Sequence, residues 1–272
     1  MKMNRKTTTW GWVIIIASLV ACGGIWYWYS RNAEKKTHGD IIPTFVINMD
    51  KDKERYATFQ KSCASSDFPS EFTRFPAVVG KDVPNPQALV TAKAWKEIET
   101  IEKNGNKTHH YQLTRGGLGC FLSHLQVMQK FVDDDGDMAL IMEDDNNFLP
   151  DSYRRMQTSI QQVPADWDVL LGVYYRAEGT DDGNFRDVTG FWGCGGYLVT
   201  KKGAEKLIRE VKERKMDAQI DAFLSRMAQQ DRIQIYAAKD QWFHVKDQGS
   251  NIQTHLKEIP GQDPFEFDGF RV

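Results

Sequence analysis

The sequence predicts an α/β fold with one sheet of mainly parallel strands. Short apolar runs of strand length alternate with stretches of helical spacing, and this alternation is typical of strands joined by helices. An acidic triplet directly follows one apolar run, at the place where α/β proteins bind their ligands. With 272 residues, of which 41% are hydrophobic and 26% charged, the chain has the composition of a globular protein.

The first half of the predicted domain contains three strands and three helices. The strands cover residues 41–49, 75–79 and 139–142. The first two helices cover residues 51–63 and 88–103. The third helix is predicted from apolar residues that share one helical face, namely Leu118, Phe121, Leu122, Leu125 and Met128.

The second half continues the same alternation. Three further apolar runs predict strands at residues 169–171, 197–199 and 233–237. Helices are predicted at residues 202–214 and 217–229. Because ligands of such sheets bind at the carboxyl ends of the strands, we expect the site to lie there.

An uncharged segment near the start of the chain predicts a membrane anchor. Residues 10–29 carry no charge, and these 20 residues are about the length of a helix that crosses a bilayer. Aromatic residues stand at both ends, as in the aromatic belts of membrane helices. We therefore predict a short tail at residues 1–9, a transmembrane signal anchor at residues 10–29, a polar stem at residues 30–40 and the folded domain at residues 41–272.

A cleaved signal peptide is the alternative interpretation of this segment. Leu19-Val20-Ala21-Cys22 looks like a bacterial lipoprotein cleavage site. Residues 23–29, however, stay apolar after that point, where a mature N-terminus is usually polar. This continuity favours the uncleaved anchor.

Charge and cysteine content argue against several kinds of site. The chain has 35 Lys and Arg against 37 Asp and Glu, which gives no sign of the basic surface that binds nucleic acid. Four cysteines in a chain of this length do not form a disulfide scaffold. Cys63, Cys120 and Cys194 have no C-x-x-C spacing, and we therefore expect no zinc site.

The acidic triplet Glu143-Asp144-Asp145 is the strongest chemical signal in the sequence. It follows the predicted strand at residues 139–142. Alternate residues of an extended chain point the same way, so Glu143 and Asp145 should share a side. Carboxylates in this position suit a hard divalent cation such as Mn²⁺ or Mg²⁺, which often binds substrate phosphates as well. A solvated acidic turn is the alternative.

Several motifs in a fixed order resemble glycosyltransferase family 25. They begin with Phe45-Val46-Ile47-Asn48-Met49-Asp50, and continue with residues 77–80 and a Leu113-Thr114 segment that leads to His124. Ile141-Met142-Glu143-Asp144-Asp145 and Gly196-Tyr197-Leu198-Val199-Thr200 follow, and then residues 249–252. The resemblance covers residues 44–252. The family includes bacterial lipooligosaccharide galactosyltransferases and procollagen hydroxylysine galactosyltransferases.

The resemblance implies a GT-A type nucleotide-sugar-binding fold and a metal-dependent, inverting transferase. Such an enzyme moves a sugar, often galactose, from a UDP-sugar to a hydroxyl of a glycan, lipooligosaccharide or protein acceptor. The metal, Mn²⁺ or Mg²⁺, would be held by the triplet Glu143-Asp144-Asp145. The residues that match the donor-binding motifs are Asn48, Asp50, Arg55, Gly119, Ser123 and His124.

Inversion needs a general base that takes the proton of the acceptor hydroxyl. Asp168 precedes a predicted strand and Asp221 lies in a predicted helix, and either could serve. Each could instead be a surface carboxylate or a helix cap. His244 is a candidate for a further metal ligand, with a structural histidine as the alternative.

Location and activity are linked, because nucleotide sugars are present in the cytosol and in the secretory lumen. We predict a single-pass membrane protein of type II orientation, with its domain in the Golgi or endoplasmic reticulum lumen. The alternative is a bacterial inner-membrane protein whose domain faces the cytosol. Two other functions stay open: a catalytically inactive relative that acts as a lumenal binding protein, and a metal-dependent nucleotide-sugar hydrolase.

Overall fold

The computed structural model describes residues 42–134 and 136–245, together with the backbone of residues 255–256. The predicted tail, anchor and stem at residues 1–40 lie outside the described residues, as does the motif at residues 249–252. In the part of the chain that is described, no helix is long and apolar enough to cross a membrane.

Six α-helices are described. Three of them begin at a threonine cap, Thr91, Thr114 or Thr200, whose side chain accepts a hydrogen bond from the amide three residues later. This contact satisfies one of the free amides of the first turn. The helices are α1 Lys53–Ala64, α2 Ala92–Asn104, α3 Arg115–Asp133, α4 Ser152–Gln162, α5 Lys201–Arg214 and α6 Ile220–Gln229.

Twelve strands accompany them. In chain order they are β1 Thr44–Asn48, β2 Thr73–Pro76, β3 Asn106–Lys107, β4 Met138–Glu143, β5 Asn146–Phe148, β6 Val169–Val173, β7 Arg176–Asp182, β8 Phe185–Trp192, β9 Gly196–Thr200, β10 Ile235–Ala238, β11 Phe243–Val245 and β12 His255–Leu256.

Eight strands form one sheet in the order β2-β1-β4-β9-β6-β10-β8-β7, and two small sheets pair β11 with β5 and β12 with β3. The α/β class is confirmed, but the expectation of mainly parallel pairing is wrong. Three neighbouring pairs of the large sheet are parallel and four are antiparallel. The reason is that β9 is inserted antiparallel between β4 and β6, and that the hairpin of β7 and β8 closes one side.

Strand direction nevertheless gathers the site at one edge. The pairings give β1, β4 and β6 the same direction and β9 the opposite one. The carboxyl ends of β1, β4 and β6 therefore meet the first residues of β9 at the same edge of the sheet. We call it the site edge.

Helices cover both faces of the sheet, so its central strands are buried on each side. In β4, Ala139 and Ile141 pack into one core, while Leu140 and Met142 pack into the other. The first core also holds α3 residues such as Phe121, and the second holds Phe59 of α1. Strands buried on both faces are continuous apolar runs, and this is why β4, β6 and β9 are predictable from the sequence.

Two of the elements that the sequence analysis does not predict, α4 and the β7–β8 hairpin, are largely polar. Helix α4 buries Ser152, Met156 and Ser159, which is too little apolar surface to dominate its sequence. The β7–β8 hairpin has a largely exposed first strand and turns through Gly183 and Asn184. A Gly-Asn pair is a hairpin signal, so this turn was detectable.

Candidate functional site

A cavity of about 370 Å³ opens at the site edge. We call it the edge cavity. The ends of β1 and β4 form one wall, and the N-terminal part of α3, up to Ser123, forms another. Ile47 pairs with Glu143, so the residues that follow β1 lie beside the acidic triplet. The lining includes Asn48, Arg55, Ser123, Glu143, Asp144 and Asp145, together with the cationic side chains Lys51, Lys81 and Arg115.

A close backbone approach fixes α3 against this wall. A Cβ atom on Gly119 would stand 2.5 Å from the carbonyl oxygen of Val78, so no other residue fits there without a shift. Ser123 Oγ accepts a 2.8 Å hydrogen bond from the Val78 amide and donates one of 2.8 Å to the Gly119 carbonyl. Gly119 and Ser123 therefore hold the cavity wall in place.

Both carboxylate oxygens of Asp144 accept hydrogen bonds from other side chains of the protein. Its Oδ2 accepts from Asn48 Nδ2 at 2.6 Å, and its Oδ1 accepts from Arg55 at 2.6 Å. The residue is only 7% exposed. Burial raises the pKa of its carboxyl group, and the bonds from Asn48 and Arg55 oppose that rise. Asp144 thus ties α1 and β1 to the loop after β4.

Asp145 has an oxygen that the described residues leave without a partner. Its Oδ1 is buried and has no hydrogen bond there, and its Oδ2 lies 3.6 Å from Arg55. Burial, with the nearby charge of Glu143, raises the pKa of Asp145 to about 7. A buried carboxylate oxygen that lacks a partner is costly, and a bound cation would remove that cost.

Glu143 makes contacts on the side of α3. Its Oε1 lies 3.2 Å from His124 Nε2 and accepts from Cys120 Sγ at 3.7 Å. His124 is completely buried, and its Nδ1 lies 2.9 Å from the Tyr197 hydroxyl. Burial, with the charge of Glu143, raises the pKa of the Cys120 thiol well above its usual range. Cys120 is therefore a neutral donor when no metal is bound.

The donor set fits a hard divalent cation at two of the three triplet positions. Glu143, Asp144 and Asp145 all line the edge cavity, and carboxylates are the ligands that Mn²⁺ and Mg²⁺ prefer. The strand ends at Glu143, so the predicted alternation along an extended chain does not continue through the triplet. Asp144 fits less well, because both of its oxygens already accept hydrogen bonds. His244 is exposed in β11, where it pairs with Asn147, and it does not line the edge cavity. Its metal role stays a prediction.

The residues predicted to bind the donor fall into three groups. Asn48, Arg55 and Ser123 line the edge cavity. Gly119 and His124 lie behind its wall, where they pack and orient their neighbours. Asp50 does not line it; its side chain is 80% exposed and forms a 2.6 Å ion pair with Arg74.

Asp168, the first candidate base, lies at the opposite edge of the sheet. It precedes β6 and is fully buried. Its carboxylate bonds to Lys206, accepts a 2.8 Å hydrogen bond from the Gln234 amide and has Lys202 at 3.7 Å. The structure does not bring Asp168 to the edge cavity.

Asp221, the second candidate base, lies next to the site edge. A loop of residues 193–196, which we call the glycine loop, connects it to the triplet. Gly193 N donates to Asp221 Oδ2 at 3.0 Å, and the Gly195 carbonyl accepts from the Glu143 amide at 2.7 Å. Burial raises the pKa of Asp221, while its backbone hydrogen bonds and the charge of Lys107 oppose the rise.

Two features of this edge were not predicted from the sequence. The first is the cationic lining by Lys51, Lys81 and Arg115, which comes from three separate segments. The second is Tyr175, which follows β6 and is 67% exposed. Gly193, with φ of +90°, lets the tyrosine ring lie close; a Cβ there would stand 2.6 Å from the ring. The signal for Tyr175 was its position after a buried strand.

Comparison with known proteins decides the family. A family model described as glycosyltransferase family 25 (LPS biosynthesis protein) matches residues 41–177, which is half of the chain. The chain belongs to glycosyltransferase family 25. The matched family region contains the triplet, Asn48 and Arg55, whereas Asp221 lies beyond it.

Relatives in the family cover part of the chain. Procollagen galactosyltransferase 1 of Danio rerio is 31% identical over 150 residues, which are 51% of this chain and 24% of that protein. Procollagen galactosyltransferase 1-B of Xenopus laevis is 27% identical over 208 residues, which are 71% of this chain and 32% of that protein. The chain thus spans about a quarter to a third of the length of these relatives.

A solved structure also resembles the chain. The crystal structure of S. aureus TarS 1-349 in complex with UDP-GlcNAc matches 78% of this chain and 60% of that chain, with a TM-score of 0.40 and 11% sequence identity. The GT-A assignment of this chain stays a prediction.

Proposed function

We propose that this member of family 25 is a glycosyltransferase of the GT-A type that takes a sugar from a UDP-sugar bound in the edge cavity. One observation carries the proposal: the same cavity is lined by the acidic residues Glu143 and Asp145 and by the basic residues Lys51, Lys81 and Arg115, of which Arg115 also forms an ion pair with Glu102. A diphosphate needs positive charge around it, and a metal bound to it needs oxygen ligands. The edge cavity offers both.

Glu143 and Asp145 would hold the metal, Mn²⁺ or Mg²⁺. Bound there, the cation supplies positive charge that stabilises the diphosphate as the bond to the sugar breaks. Asp144 orients this pair indirectly, because it fixes Arg55 and Asn48 beside the triplet. Of the protein's own charges, Arg55 lies close enough to Asp145 to limit repulsion between the carboxylates when the metal is absent.

Asp221 is the base that the geometry supports for an inverting transfer. Burial raises the pKa of the Asp221 carboxyl group. A carboxylate with a raised pKa is a stronger base and takes a proton from a hydroxyl more readily. The glycine loop places it on the same edge as Glu143. Asp168 has no comparable position, because it is neutralised by lysines at the far edge.

The donor and acceptor follow from the family rather than from the cavity. Relatives named procollagen galactosyltransferase support galactose as the transferred sugar. The acceptor is a hydroxyl of a glycan, a lipooligosaccharide or a protein. Residues 10–29 anchor the protein in a membrane, with the domain in the Golgi or endoplasmic reticulum lumen, or in the cytosol of a bacterium.

A second function is supported by one contact. Arg55 lies within ion-pair distance of both Asp144 and Asp145, so a guanidinium already neutralises part of the acidic triplet. A catalytically inactive relative that binds a ligand without turnover would be built in this way. In the transferase, a metal would take the place of Arg55 beside Asp145. In the inactive relative, Arg55 would stay beside Asp145.

Donor turnover tests the proposal. The full-length protein, purified in detergent, is incubated with a panel of UDP-sugars and candidate acceptors, with Mn²⁺, with Mg²⁺ or with chelator, and released UDP is measured. We expect release from one donor that needs the metal and rises with acceptor. The double variant Glu143→Gln/Asp145→Asn should lose it, whereas Asp181→Asn, an exposed change on β7, should not.

The other outcomes are equally informative. Metal-dependent release that no acceptor increases would identify a nucleotide-sugar hydrolase. Donor binding that resists both chelator and the double variant, with no release from any donor, would support the inactive binding protein and contradict the transferase.

A further inference from the structure

Three side chains of metal-ligand type meet behind the wall of the edge cavity. They are Cys120 and His124 of α3 and Glu143 at the end of β4. Among the described residues, this is the group in which three such ligand atoms all lie within 4.8 Å of one another. Cys120 and Glu143 also line the edge cavity, so the group has an open side.

Two of the three separations between the ligand atoms match those around a tetrahedral metal, and the third is at most 4.8 Å. His124 Nε2 and Glu143 Oε1 are 3.2 Å apart, and Cys120 Sγ and Glu143 Oε1 are 3.7 Å apart. Bonds of about 2.0–2.3 Å at tetrahedral angles separate neighbouring ligand atoms by roughly 3.3–3.7 Å. A metal could therefore replace these hydrogen bonds with little movement of the side chains.

The histidine is already oriented as a ligand. Cys120 and His124 are four residues apart on α3, so their side chains lie on one face of the helix. Tyr197 holds the Nδ1 of His124 at 2.9 Å, and this leaves Nε2 directed at Glu143. Metal-binding histidines are usually fixed through their second nitrogen in this way.

The kinds of ligand select the metal. A thiolate and an imidazole favour Zn²⁺ over Mn²⁺ and Mg²⁺, which prefer oxygen ligands alone. Three protein ligands with an open fourth position are typical of reactive or exchangeable zinc sites. The absence of C-x-x-C spacing, which argues against zinc in the sequence, does not apply here, because the ligands come from one helical face and a neighbouring strand.

We propose that Cys120, His124 and Glu143 bind one Zn²⁺, with its fourth position toward the edge cavity. Binding replaces the thiol proton of Cys120, which is released to solvent, by a sulfur–zinc bond; no electron is transferred. Because Glu143 belongs to this site and to the proposed Mn²⁺ site, zinc and manganese compete. Zinc is therefore an inhibitor of transfer, a consequence that rests on the proposed function.

Cobalt substitution tests the site without any assay of activity. The full-length, metal-free protein is titrated with Co²⁺, a spectroscopic substitute for zinc that absorbs strongly when it is tetrahedral and bound to thiolate. We expect one Co²⁺ per chain with a thiolate charge-transfer band, and displacement by Zn²⁺. The band should disappear in Cys120→Ser and persist in Cys63→Ser, whose thiol lies in the other core.

A change at Tyr197 provides a second measurement. Tyr197→Phe removes the hydroxyl that orients His124 and should weaken zinc binding by about 10-fold while the cobalt band remains. Thermal melts establish that each variant is folded. A wild-type protein without the thiolate band, or a band that survives in folded Cys120→Ser, would overturn the proposed zinc site.

Turnover then separates this proposal from the proposed function. If Mn²⁺-dependent release of UDP is found, added Zn²⁺ should inhibit the wild type and should inhibit Cys120→Ser at least about 10-fold less strongly. Asp145→Asn should lose Mn²⁺-dependent release and keep the cobalt band. Equal inhibition of wild type and Cys120→Ser would contradict the competition, even if cobalt binds.

Discussion

Aspartates stand at both edges of the sheet, and their surroundings differ. At the far edge, Asp168 is surrounded by Lys206, Lys202 and the Gln234 amide. At the site edge, Asp145 has Arg55 at 3.6 Å, and Asp221 accepts hydrogen bonds from two backbone amides. The Oδ1 atoms of Asp145 and Asp168 both lack a hydrogen bond among the described residues. The far edge gives Asp168 two lysines, whereas at the site edge Asp144 and Asp145 share the single cation Arg55.

This difference follows from the direction of the strands. Residues before β6 and after β4 lie at opposite edges. Unpaired carboxylates cost stability, since their desolvation is not repaid. A fold keeps such a cost where function needs it, and perturbed pKa values therefore concentrate at functional sites. In this chain, Asp145 and Asp221 show that signature.

The largest expected effect is on transfer in Asp221→Asn. The amide cannot take the acceptor proton, so we expect the rate of transfer to fall about 1000-fold. Donor affinity should stay within about twofold, because Asp221 does not line the edge cavity. Initial rates with saturating donor and calorimetric binding of UDP with Mn²⁺ measure the two quantities.

Asp168→Asn is the matched variant at the other edge, and its effect should be on stability. It removes a buried charge and leaves Lys206 without its anionic partner, which should cost about 3 kcal/mol of unfolding free energy. The activity of the folded fraction should not change. Urea denaturation and active-site titration would show this. A stable Asp168→Asn protein without turnover would reverse the assignment of the two edges.

Much of this comparison could be predicted from sequence, and part of it could not. Runs such as Ala139-Leu140-Ile141-Met142 identify the central strands because both faces are buried. The triplet could be placed after β4 for the same reason. The antiparallel insertion of β9 is not visible in its sequence, because an apolar strand does not encode its direction.

The hydrogen-bond partners of individual side chains could not be predicted from the sequence either. Asp144 and Asp145 are adjacent and identical in kind, yet both oxygens of Asp144 accept hydrogen bonds, whereas Oδ1 of Asp145 has none among the described residues. Cys120 and His124 contact Glu143 only because α3 packs beside β4. These contacts join distant segments, and local patterns carry no information about them.

At the site edge, we expect the unfolding free energy to depend on pH, with a smaller effect than the two substitutions above. Burial raises the pKa of Asp145 to about 7, from an unfolded value of about 4. Between these values the metal-free folded state binds more protons than the unfolded state, so stability falls as pH rises through this range. Asp144 and Asp221 act in the same direction, because burial raises their pKa values as well.

Asp145→Asn should remove the share of this effect that belongs to Asp145. From pH 5 to pH 7.5 with chelator, we expect the variant to lose about 2 kcal/mol less unfolding free energy than the wild type. Mn²⁺ should stabilise the wild type at pH 7.5 and affect the variant far less. If the unfolding free energies of the two proteins changed with pH in parallel, Asp145 would not be the group responsible for the pH dependence.

The smallest predicted effect concerns Tyr175, the exposed ring of the site edge. Its ring packs beside Gly193, whose amide bonds to Asp221, so one glycine contacts both the ring and the proposed base. An exposed aromatic face there is suited to a sugar or peptide group of the acceptor. Tyr175→Ala should raise the acceptor KM about 5-fold with little change in kcat or donor KM. Tyr175→Phe, which keeps the ring, should restore the acceptor KM. If the alanine variant changes the donor KM instead, Tyr175 contacts the donor, and its assignment to the acceptor is wrong.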